Sequence, residues 1–479
     1  MPAATDPDLS SSRQIRRYLR ARAWCEWEDL DLWPERVRTD LAREDGPLWP
    51  PFLLLSMAGI DAATQRACAA RWLASSRPAP PRPVEADSDA GTGETDRGPA
   101  RPLRVGYLSG DFHQHATALL IVELLEAHHA DRVEIHAYSH GDDDGRGMRP
   151  RLVAAFRERF HDIRALDDEA AAACIRADRI DILIDLKGYT AGSRTRLLAR
   201  RPAPVQVSFL GYPGTSGQDF IDYLISDRFV TPVAAAGHYS EALACMPASY
   251  QPHARIVAEA AARPPRAGLG LPDEGFVFAC FNQSWKLGPE VFDIWCMLLR
   301  EVSGSVLWLL DDPRVRGNLR NEALARGVSP HRLVFAPDLA QPEHLARLPA
   351  IDLMLDTWPY NAHTTASDAL AAGVPLVTCA GTTFASRVAG SLLAAAGLPE
   401  LITTTPAAYG ELALALAVDP QRLGLLRRRF GRSRHAAALF DVDGYADALE
   451  TLFERMWARH RSGAAPVAID LAPHSTRSR

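Results

Sequence analysis

The chain has 479 residues, of which 47% are apolar and 23% are charged, the composition of an ordinary globular protein. This length exceeds what one hydrophobic core usually supports, so two or three domains are expected. The 53 basic and 59 acidic residues give a formal charge of −6, which provides no general field for nucleic acid or anionic lipid. Any anion must therefore be bound by a local site.

The cysteines, the first residues and the longest charge-free run indicate the cellular compartment. The seven cysteines are scattered without Cys-x-x-Cys spacing, which indicates buried thiols in a reducing compartment rather than disulfides or a zinc site. The first residues lack the basic and apolar regions of a signal peptide. The longest charge-free run, between Asp368 and Arg387, is interrupted by Gly373 and Pro375 and does not predict a membrane span. We expect a soluble, cytoplasmic protein without a metal site and without nucleic-acid or membrane partners.

The first hundred residues predict two segments that precede the regular α/β pattern. A helical N-terminal region is predicted at 1–74. Its residues 13–74 are rich in Arg, Ala, Leu and Trp, and the helical spacing of the tryptophans predicts core anchors between short helices. A degenerate remnant of a helical, tetratricopeptide-like repeat is the alternative, although no clear period is visible. Residues 75–101 change to Pro, Gly, Ser and acidic residues and predict a disordered linker.

Two blocks of alternating strands and helices follow, at residues 102–250 and 273–462. An irregular inter-lobe bridge is predicted at 251–272, and a disordered tail at 463–479. Strands that alternate with helices pair in parallel, so each block predicts a doubly wound, Rossmann-like lobe of α/β class. Ligands in such sheets bind beyond the carboxyl ends of the strands, which places the chemistry in the loops that face the cleft between the lobes.

The most informative loop follows the predicted buried strand Ile351–Leu355 and precedes an alanine-rich helix. A helix start carries unpaired backbone N–H groups and the positive end of the helix dipole, so it can bind a phosphate without a charged side chain. Thr365 and Asp368 also fit the capping-box pattern, in which they would only satisfy their own helix end. On this segment alone the two interpretations stay open.

Other loops after strands carry polar or glycine-rich signals. Lys286 follows an apolar strand and can reach an anion in the cleft, or else be solvated. His113 and His115 follow the first strand and could act as acid or base, or lie on the surface. The Gly211–Gly217 loop permits close approach of a ligand, or is a plain turn. Neither a Gly-x-Gly-x-x-Gly nor a P-loop motif is present, so the joint placement favours a nucleotide-diphosphate site over dinucleotide or P-loop ATP chemistry.

Seven segments, in matching order, resemble the catalytic region of the protein O-GlcNAc transferases, the O-linked N-acetylglucosamine transferase and SPINDLY type. They are Arg104–His115, Arg201–Gln206, Leu210–Gly217, Phe281–Gln283, Ser305–Leu310, His363–Thr365 and Ala385–Ala389. The resemblance runs from Pro102 to Ser462 and implies a GT-B architecture, an inverting reaction, a UDP-sugar donor and no metal or other cofactor.

The resemblance also implies site roles. His115 matches the first-lobe histidine at the reacting centre, once proposed as the general base, and Lys286 matches the lysine that compensates charge on the departing UDP. Positions implied to hold the UDP-sugar are Gln283, His344, His363, Thr364, Thr365 and Asp368. Positions implied on the sugar and acceptor side are Tyr189, Gly211, Pro213, Gly214 and Thr215.

Three positions depart from the animal enzymes. Gln341 replaces a lysine, Tyr360 replaces a cysteine and Trp285 replaces a tyrosine. The long insert between the lobes and the tetratricopeptide arrays of those enzymes are not recognised, which leaves the acceptor less defined than the donor.

These observations predict an inverting transfer of N-acetylglucosamine from UDP-GlcNAc to Ser or Thr hydroxyls of a polypeptide. The alternatives are a related transferase that uses UDP-glucose or GDP-fucose, a UDP-sugar epimerase of the same fold, and a binding protein that holds UDP without turnover.

Overall fold

The computed structural model describes residues 13–74, 101–254 and 264–471. The predicted disordered linker at 75–101 lies outside the described residues except for Arg101, and so does part of the predicted bridge and the end of the predicted tail. Within the described residues, no helix combines the length and the apolarity needed to cross a bilayer.

The helices of the described residues are joined in places by short 3-10 turns. Their bounds are α1 (Arg13–Trp24), α2 (Trp33–Ala42), α3 (Pro51–Leu54), α4 (Ala62–Ala74), α5 (Ala116–Ala127), α6 (Met148–Phe156), α7 (Asp168–Ala177), α8 (Thr195–Leu198), α9 (Pro289–Glu301), α10 (Arg316–Ala325), α11 (Gln341–Arg347), α12 (Thr364–Ala371), α13 (Val388–Ala395), α14 (Pro406–Val418), α15 (Pro420–Ser433) and α16 (Val442–Arg461).

The strands are short and mostly buried. Their bounds are β1 (Leu103–Ser109), β2 (Val133–Ser139), β3 (Phe160–Asp162), β4 (Ile182–Asp185), β5 (Val205–Ser208), β6 (Tyr223–Asp227), β7 (Ala242–Met246), β8 (Val277–Cys280), β9 (Val306–Leu310), β10 (Leu333–Ala336), β11 (Leu353–Leu355), β12 (Leu376–Cys379), β13 (Ile402–Thr403) and β14 (Ile469–Asp470).

These strands form two sheets, and every pairing is parallel. The first sheet has eight strands in the order β14-β7-β6-β5-β4-β1-β2-β3, and the second has six in the order β10-β9-β8-β11-β12-β13. The central strands β4 and β8 are buried along their whole length because helices cover both faces of a parallel sheet. The predicted α/β class with two doubly wound lobes is confirmed.

The end of the chain returns to the first lobe. Helix α16 packs on α5, and its buried Glu450 accepts hydrogen bonds from the Nδ1 of His128 at 2.9 Å and from the backbone N–H of His129 at 2.9 Å. After α16, Ile469 pairs with Ala244 of β7. The prediction of a disordered tail from residue 463 is therefore wrong for β14, and α16 belongs with the first lobe rather than with the second. A two-residue strand has no periodicity of its own to reveal it.

The N-terminal helical region contacts both lobes. Its own small core contains Tyr18, Trp33 and Trp49, as expected for aromatic anchors between short helices. On the first lobe, the Gln218 side chain donates a hydrogen bond of 3.1 Å to the carbonyl oxygen of Ala69 in α4. On the second lobe, the side chain of Asn318 donates to the carbonyl oxygen of Trp24 at 2.8 Å. This region therefore bridges the two lobes.

Candidate active site

A buried carboxylate organises the loop between β11 and α12. Asp356 is fully buried and accepts hydrogen bonds from the backbone N–H groups of Thr357 at 2.7 Å and Ala362 at 2.6 Å, and from the hydroxyl of Thr378 at 2.5 Å. Burial raises the pKa of Asp356, and these hydrogen bonds oppose the rise. The loop is therefore fixed in place below the start of α12.

The start of α12 is left without a side-chain cap. The helix begins at Thr364, and His363 at the N-cap position makes no capping hydrogen bond. The hydroxyl of Thr365 instead donates to Oδ1 of Asn282 at 2.7 Å, and Asp368 lies inside the helix. The capping-box interpretation is therefore wrong, because that pattern makes Thr365 the N-cap, whereas the helix starts two residues earlier, with His363 at the N-cap position. The open end keeps its N–H groups and its positive dipole available to an anion.

Lys286 lies directly beside this helix start. Its ammonium donates a hydrogen bond of 2.9 Å to the carbonyl oxygen of Asn361 and lies 4.1 Å from the ring centroid of Tyr360. The residue is only 9% exposed, so the alternative of a solvated lysine is wrong. Burial lowers the pKa of Lys286, while the nearby Asp356 carboxylate raises it. A diphosphate beside the ammonium would favour its charged form further.

His363 stacks on Tyr360, with ring centroids 4.8 Å apart. Burial lowers the pKa of His363 well below its usual range, so the ring is neutral near pH 7. Its Nε2 atom is buried and has no hydrogen-bond partner among the residues that the structure describes. A buried polar atom is normally hydrogen-bonded to protein or to ordered water, so this nitrogen is open to a partner from the cleft.

The first lobe contributes a buried ion pair on the opposite side of the cleft. The ammonium of Lys187 lies 2.8 Å from Oδ1 of Asp111, and both side chains are less than a tenth exposed. Asp185, at the end of β4, accepts hydrogen bonds from the backbone N–H groups of Lys187 at 3.0 Å and Gly188 at 2.9 Å. Burial raises the pKa of Asp185 to about 6. The ends of β1 and β4 thus hold three charged groups together.

His115 is the N-cap of α5. Its Nδ1 atom accepts the backbone N–H of Thr117 at 3.2 Å and lies 3.6 Å from Oδ2 of Asp111. Because Nδ1 accepts, the neutral ring carries its proton on Nε2. Burial lowers the pKa of His115, which keeps the ring neutral at physiological pH.

These groups line one cleft of about 540 Å³, a size typical of sites for small-molecule ligands. Its walls come from both lobes and, through Phe52, from the N-terminal helical region. Seven of the predicted residues line it, namely His115, Gly211, Gln283, Lys286, His363, Thr364 and Thr365.

Two predicted nucleotide contacts lie outside the lining of this cleft. The Nδ1 atom of His344 accepts a hydrogen bond of 2.7 Å from the guanidinium of Arg347, and its ring packs 5.5 Å from that of Phe281. Asp368 is 8% exposed, and its carboxylate lies 3.9 Å from Nε2 of His253. Their roles toward a nucleotide stay predictions.

Four residues predicted on the acceptor side are buried in contacts that support the loops rather than lining the cleft. The hydroxyl of Tyr189 donates to the carbonyl oxygen of Ser216 at 2.5 Å, and that of Thr215 donates to Oε2 of Glu241 at 2.7 Å. Pro213 and Gly214 are buried between them. The acceptor-side roles of these four residues are therefore not supported by their placement, whereas Gly211 does reach the cleft.

Sequence reasoning passed over several lining residues. Asp111, Lys187 and Asn282 each lie two residues after the end of a strand, β1, β4 and β8 respectively, so the strand-end criterion could have identified all three. Gln251, on the segment between the lobes, donates a hydrogen bond of 3.0 Å to Ser367. Nothing in the sequence near Phe52 indicates that it reaches the cleft.

Comparison with known proteins assigns this architecture. The model of glycosyl transferase family 41 matches residues 93–258 and 254–449. An Arabidopsis thaliana protein described as a probable UDP-N-acetylglucosamine–peptide N-acetylglucosaminyltransferase SEC is 38% identical over 371 residues, which cover 76% of this chain and 38% of the relative. The Caenorhabditis elegans UDP-N-acetylglucosamine–peptide N-acetylglucosaminyltransferase is 31% identical over 489 residues, which cover 78% of this chain and 42% of the relative.

Among solved structures, a mutant of the Thermobaculum terrenum O-GlcNAc transferase superposes with a TM-score of 0.77 at 30% identity, covering 94% of this chain and 82% of that chain. The chain thus spans about two fifths of the length of the curated relatives that it matches, but most of this solved structure. With the family model covering most of the chain, the protein belongs to glycosyl transferase family 41.

Proposed function

We propose that this chain transfers N-acetylglucosamine from UDP-GlcNAc to a Ser or Thr hydroxyl of a polypeptide, with inversion at the anomeric carbon. One observation carries the proposal. The uncapped start of α12 and the buried Lys286, both on the second lobe, line the same cleft as His115 on the first lobe. The names of the relatives support UDP-GlcNAc as the donor and a peptide as the acceptor.

The second lobe would bind the part of the donor that leaves. The bond between the anomeric carbon and the β-phosphate oxygen breaks, so negative charge grows on the departing UDP. The backbone N–H groups at Thr364 and Thr365 and the ammonium of Lys286 are positioned to stabilise that charge where it develops. Because these groups supply positive charge themselves, we also propose that the transfer needs no metal ion.

The first lobe would bind the acceptor side. The acceptor oxygen forms the new bond to the anomeric carbon and must lose its proton to a base. The lining offers Asp111 and His115 for this purpose. In the tautomer set by Thr117, His115 presents an N–H on Nε2, so accepting a proton would require His115 to change tautomer or release this contact.

The free thiols support a reducing location. All seven cysteines lie in the described residues and are unpaired, and six of them are buried. Disulfides are rare in the cytosol, so this pattern fits our proposal of a cytoplasmic enzyme.

The test is a donor panel. The purified chain is incubated with UDP-GlcNAc, UDP-glucose or GDP-fucose and with lysate of its own host as acceptor, and nucleotide release and intact protein mass are recorded. Release of UDP together with addition of one N-acetylhexosamine per modified site is expected from UDP-GlcNAc alone. An isomerised sugar without acceptor consumption would identify an epimerase instead, and tight UDP binding without transfer would identify a binding protein.

A further inference from the structure

Three potential metal ligands meet at the outer edge of the first sheet. His136 lies on β2, His161 lies on the edge strand β3, and Asp178 follows the end of α7. One ligand atom from each residue lies within 4.8 Å of the other two. None of the three lines the cleft of the candidate active site. Because they are far apart in the sequence, no spacing motif reveals them.

His136 is held with one nitrogen aimed into this cluster. The residue is 6% exposed, and its Nε2 atom lies 3.0 Å from Oε1 of Glu134. That contact fixes the ring proton on Nε2 and leaves a lone pair on Nδ1. Within the described part of the chain, Nδ1 is buried and has no hydrogen-bond partner. Nδ1 lies 4.0 Å from Oδ2 of Asp178. Both atoms are hydrogen-bond acceptors, so neither can donate a proton to the other.

The other two ligands are oriented by Tyr138. Its hydroxyl donates a hydrogen bond of 2.6 Å to Oδ2 of Asp178, and its ring stacks on that of His161 with centroids 5.2 Å apart. The Nε2 atom of His161 lies 3.1 Å from the same carboxylate oxygen. Glu134 thus lies behind His136, and the Tyr138 hydroxyl lies behind Asp178. Such outer contacts orient the ligands in metal sites.

We propose that His136, His161 and Asp178 form a binding site for a divalent first-row transition metal, with Zn²⁺ the expected ion. The ligands are Nδ1 of His136, Nε2 of His161 and the carboxylate of Asp178. Ligand atoms of a tetrahedral zinc site are roughly 3.4 Å apart, and the 3.1 and 4.0 Å separations lie on either side of that value. The side chains of His161 and Asp178 are 28% and 24% exposed, which leaves room for water as the fourth ligand.

The metal would have a structural effect. Strand β3 has three residues and pairs with β2 alone, at the open edge of the sheet. An ion shared by β2, β3 and the end of α7 would fasten that edge. Binding to the folded state alone raises the melting temperature, because the unfolded chain does not bring these ligands together.

A second cluster supplies a control within the same chain. His129, Asp447 and Glu450 also place three ligand atoms within 4.8 Å of one another. There, however, the guanidinium of Arg132 lies 2.9 Å from Oε2 of Glu450, so a cation already occupies the position that a metal would take. We expect no tight metal binding at this cluster.

The experiment uses the full chain, stripped with EDTA, dialysed and titrated with Zn²⁺. Native mass spectrometry should show one retained Zn²⁺ per chain, and the melting temperature should rise by at least about 2 °C. H161Q and D178N should lose both effects, and H129Q should keep both. With Co²⁺ in place of Zn²⁺, the intense visible absorption of a four-coordinate ion should appear in the wild type and disappear in H161Q.

The proposal is overturned if the wild type retains no Zn²⁺ after dialysis, which would leave the cluster as a contact between histidine and aspartate side chains. It is equally overturned if H161Q retains Zn²⁺ as the wild type does, since the ion would then lie elsewhere. Circular dichroism checks folding. If D178N fails to fold, H161Q decides, because that side chain is more exposed.

Discussion

Arg22 in the N-terminal helical region donates hydrogen bonds to the carbonyl oxygens on both sides of Lys286. Its guanidinium lies 2.5 Å from the oxygen of Trp285 and 3.1 Å from that of Leu287, and Arg22 is only 6% exposed. A residue outside both lobes thus fixes the backbone that carries the buried lysine. The N-terminal region therefore helps to position the proposed active site.

Replacing Arg22 by methionine should lower kcat about tenfold, because the turn that carries Lys286 loses two hydrogen bonds to a buried cation. The R22K variant should recover part of the loss. The matched control is R17M on the same helix, since Arg17 forms an exposed ion pair with Asp29. Equal kcat in R22M and R17M would contradict the positioning role. A lower kcat in R22M would also contradict it if thermal unfolding showed that R22M is partly unfolded at the assay temperature to the same extent.

Lys286 should matter more for turnover than for folding. In K286M the departing UDP loses one preorganised positive charge, so kcat should fall by about 10²- to 10³-fold. The melting temperature should change less than turnover, because the buried Asp356 near Lys286 keeps its hydrogen bonds from Thr357, Ala362 and Thr378 when the ammonium is lost. Rates of UDP release and calorimetric UDP affinity separate the two effects. Full turnover in K286M would remove Lys286 from the mechanism.

The pH dependence of kcat/KM should reflect His115 and Lys286 in the free enzyme. Burial lowers the pKa of Lys286, so the charged form that activity requires should be lost as pH rises, at a pH below the ordinary lysine value of 10.5. Burial also lowers the pKa of His115 below the ordinary histidine value of 6.5. As the pH falls, the ring therefore becomes protonated only below pH 6.5. Activity should therefore decline at both ends of the pH range.

Rates measured from about pH 5 to pH 10 test this assignment. The alkaline decline should move to higher pH in K286R, because a guanidinium stays protonated there. An alkaline decline at the same pH in K286R and in the wild type would assign it to another group.

Much of the fold is readable from the sequence for a physical reason. Strands buried on both faces are rich in apolar residues, as in β8 and the first three residues of β4, and they alternate with helices, so the two lobes could be predicted. Strands β3 and β14 have three and two residues, too few for a pattern. Their pairing partners, which lie elsewhere in the chain, decide their conformation.

The candidate site was likewise only partly predictable from the sequence. Rules about strand ends and helix starts place Lys286, Thr364 and His115 in the cleft. Such rules do not say which way a loop side chain faces, so the inward bonding of Tyr189 and Thr215 was not foreseen. The approach of Arg22 and Phe52 from the N-terminal region depends on tertiary docking, which no local pattern records.

The buried pair of Asp111 and Lys187 provides a further test. In K187M the Asp111 carboxylate stays buried without its partner, which should destabilise the protein by about 3–5 kcal/mol. The positive charge of Lys187 also holds down the pKa of His115, so its removal should shift the acidic decline of kcat/KM to higher pH.

The double variant D111N/K187M removes both charges and should recover most of the lost stability, as measured by urea unfolding. Since Asp111 raises the pKa of His115, the double variant should also move the acidic decline back toward its original position. Unchanged stability and an unchanged pH profile in K187M would show that the pair is not coupled to His115.

Gly211 should not tolerate a side chain. A Cβ atom added there would lie 1.9 Å from the carbonyl oxygen of Leu186, a backbone atom that cannot move aside without disturbing the end of β4. Because the clash is with backbone beside Lys187, G211A should lose about 2 kcal/mol or more of unfolding free energy and most of its activity. The control is G147A at the start of α6, where an added Cβ meets nothing within 4 Å. Equal melting temperatures and transfer rates in the two variants would show that the loop after β5 adapts, and that Gly211 does not set the shape of the cleft.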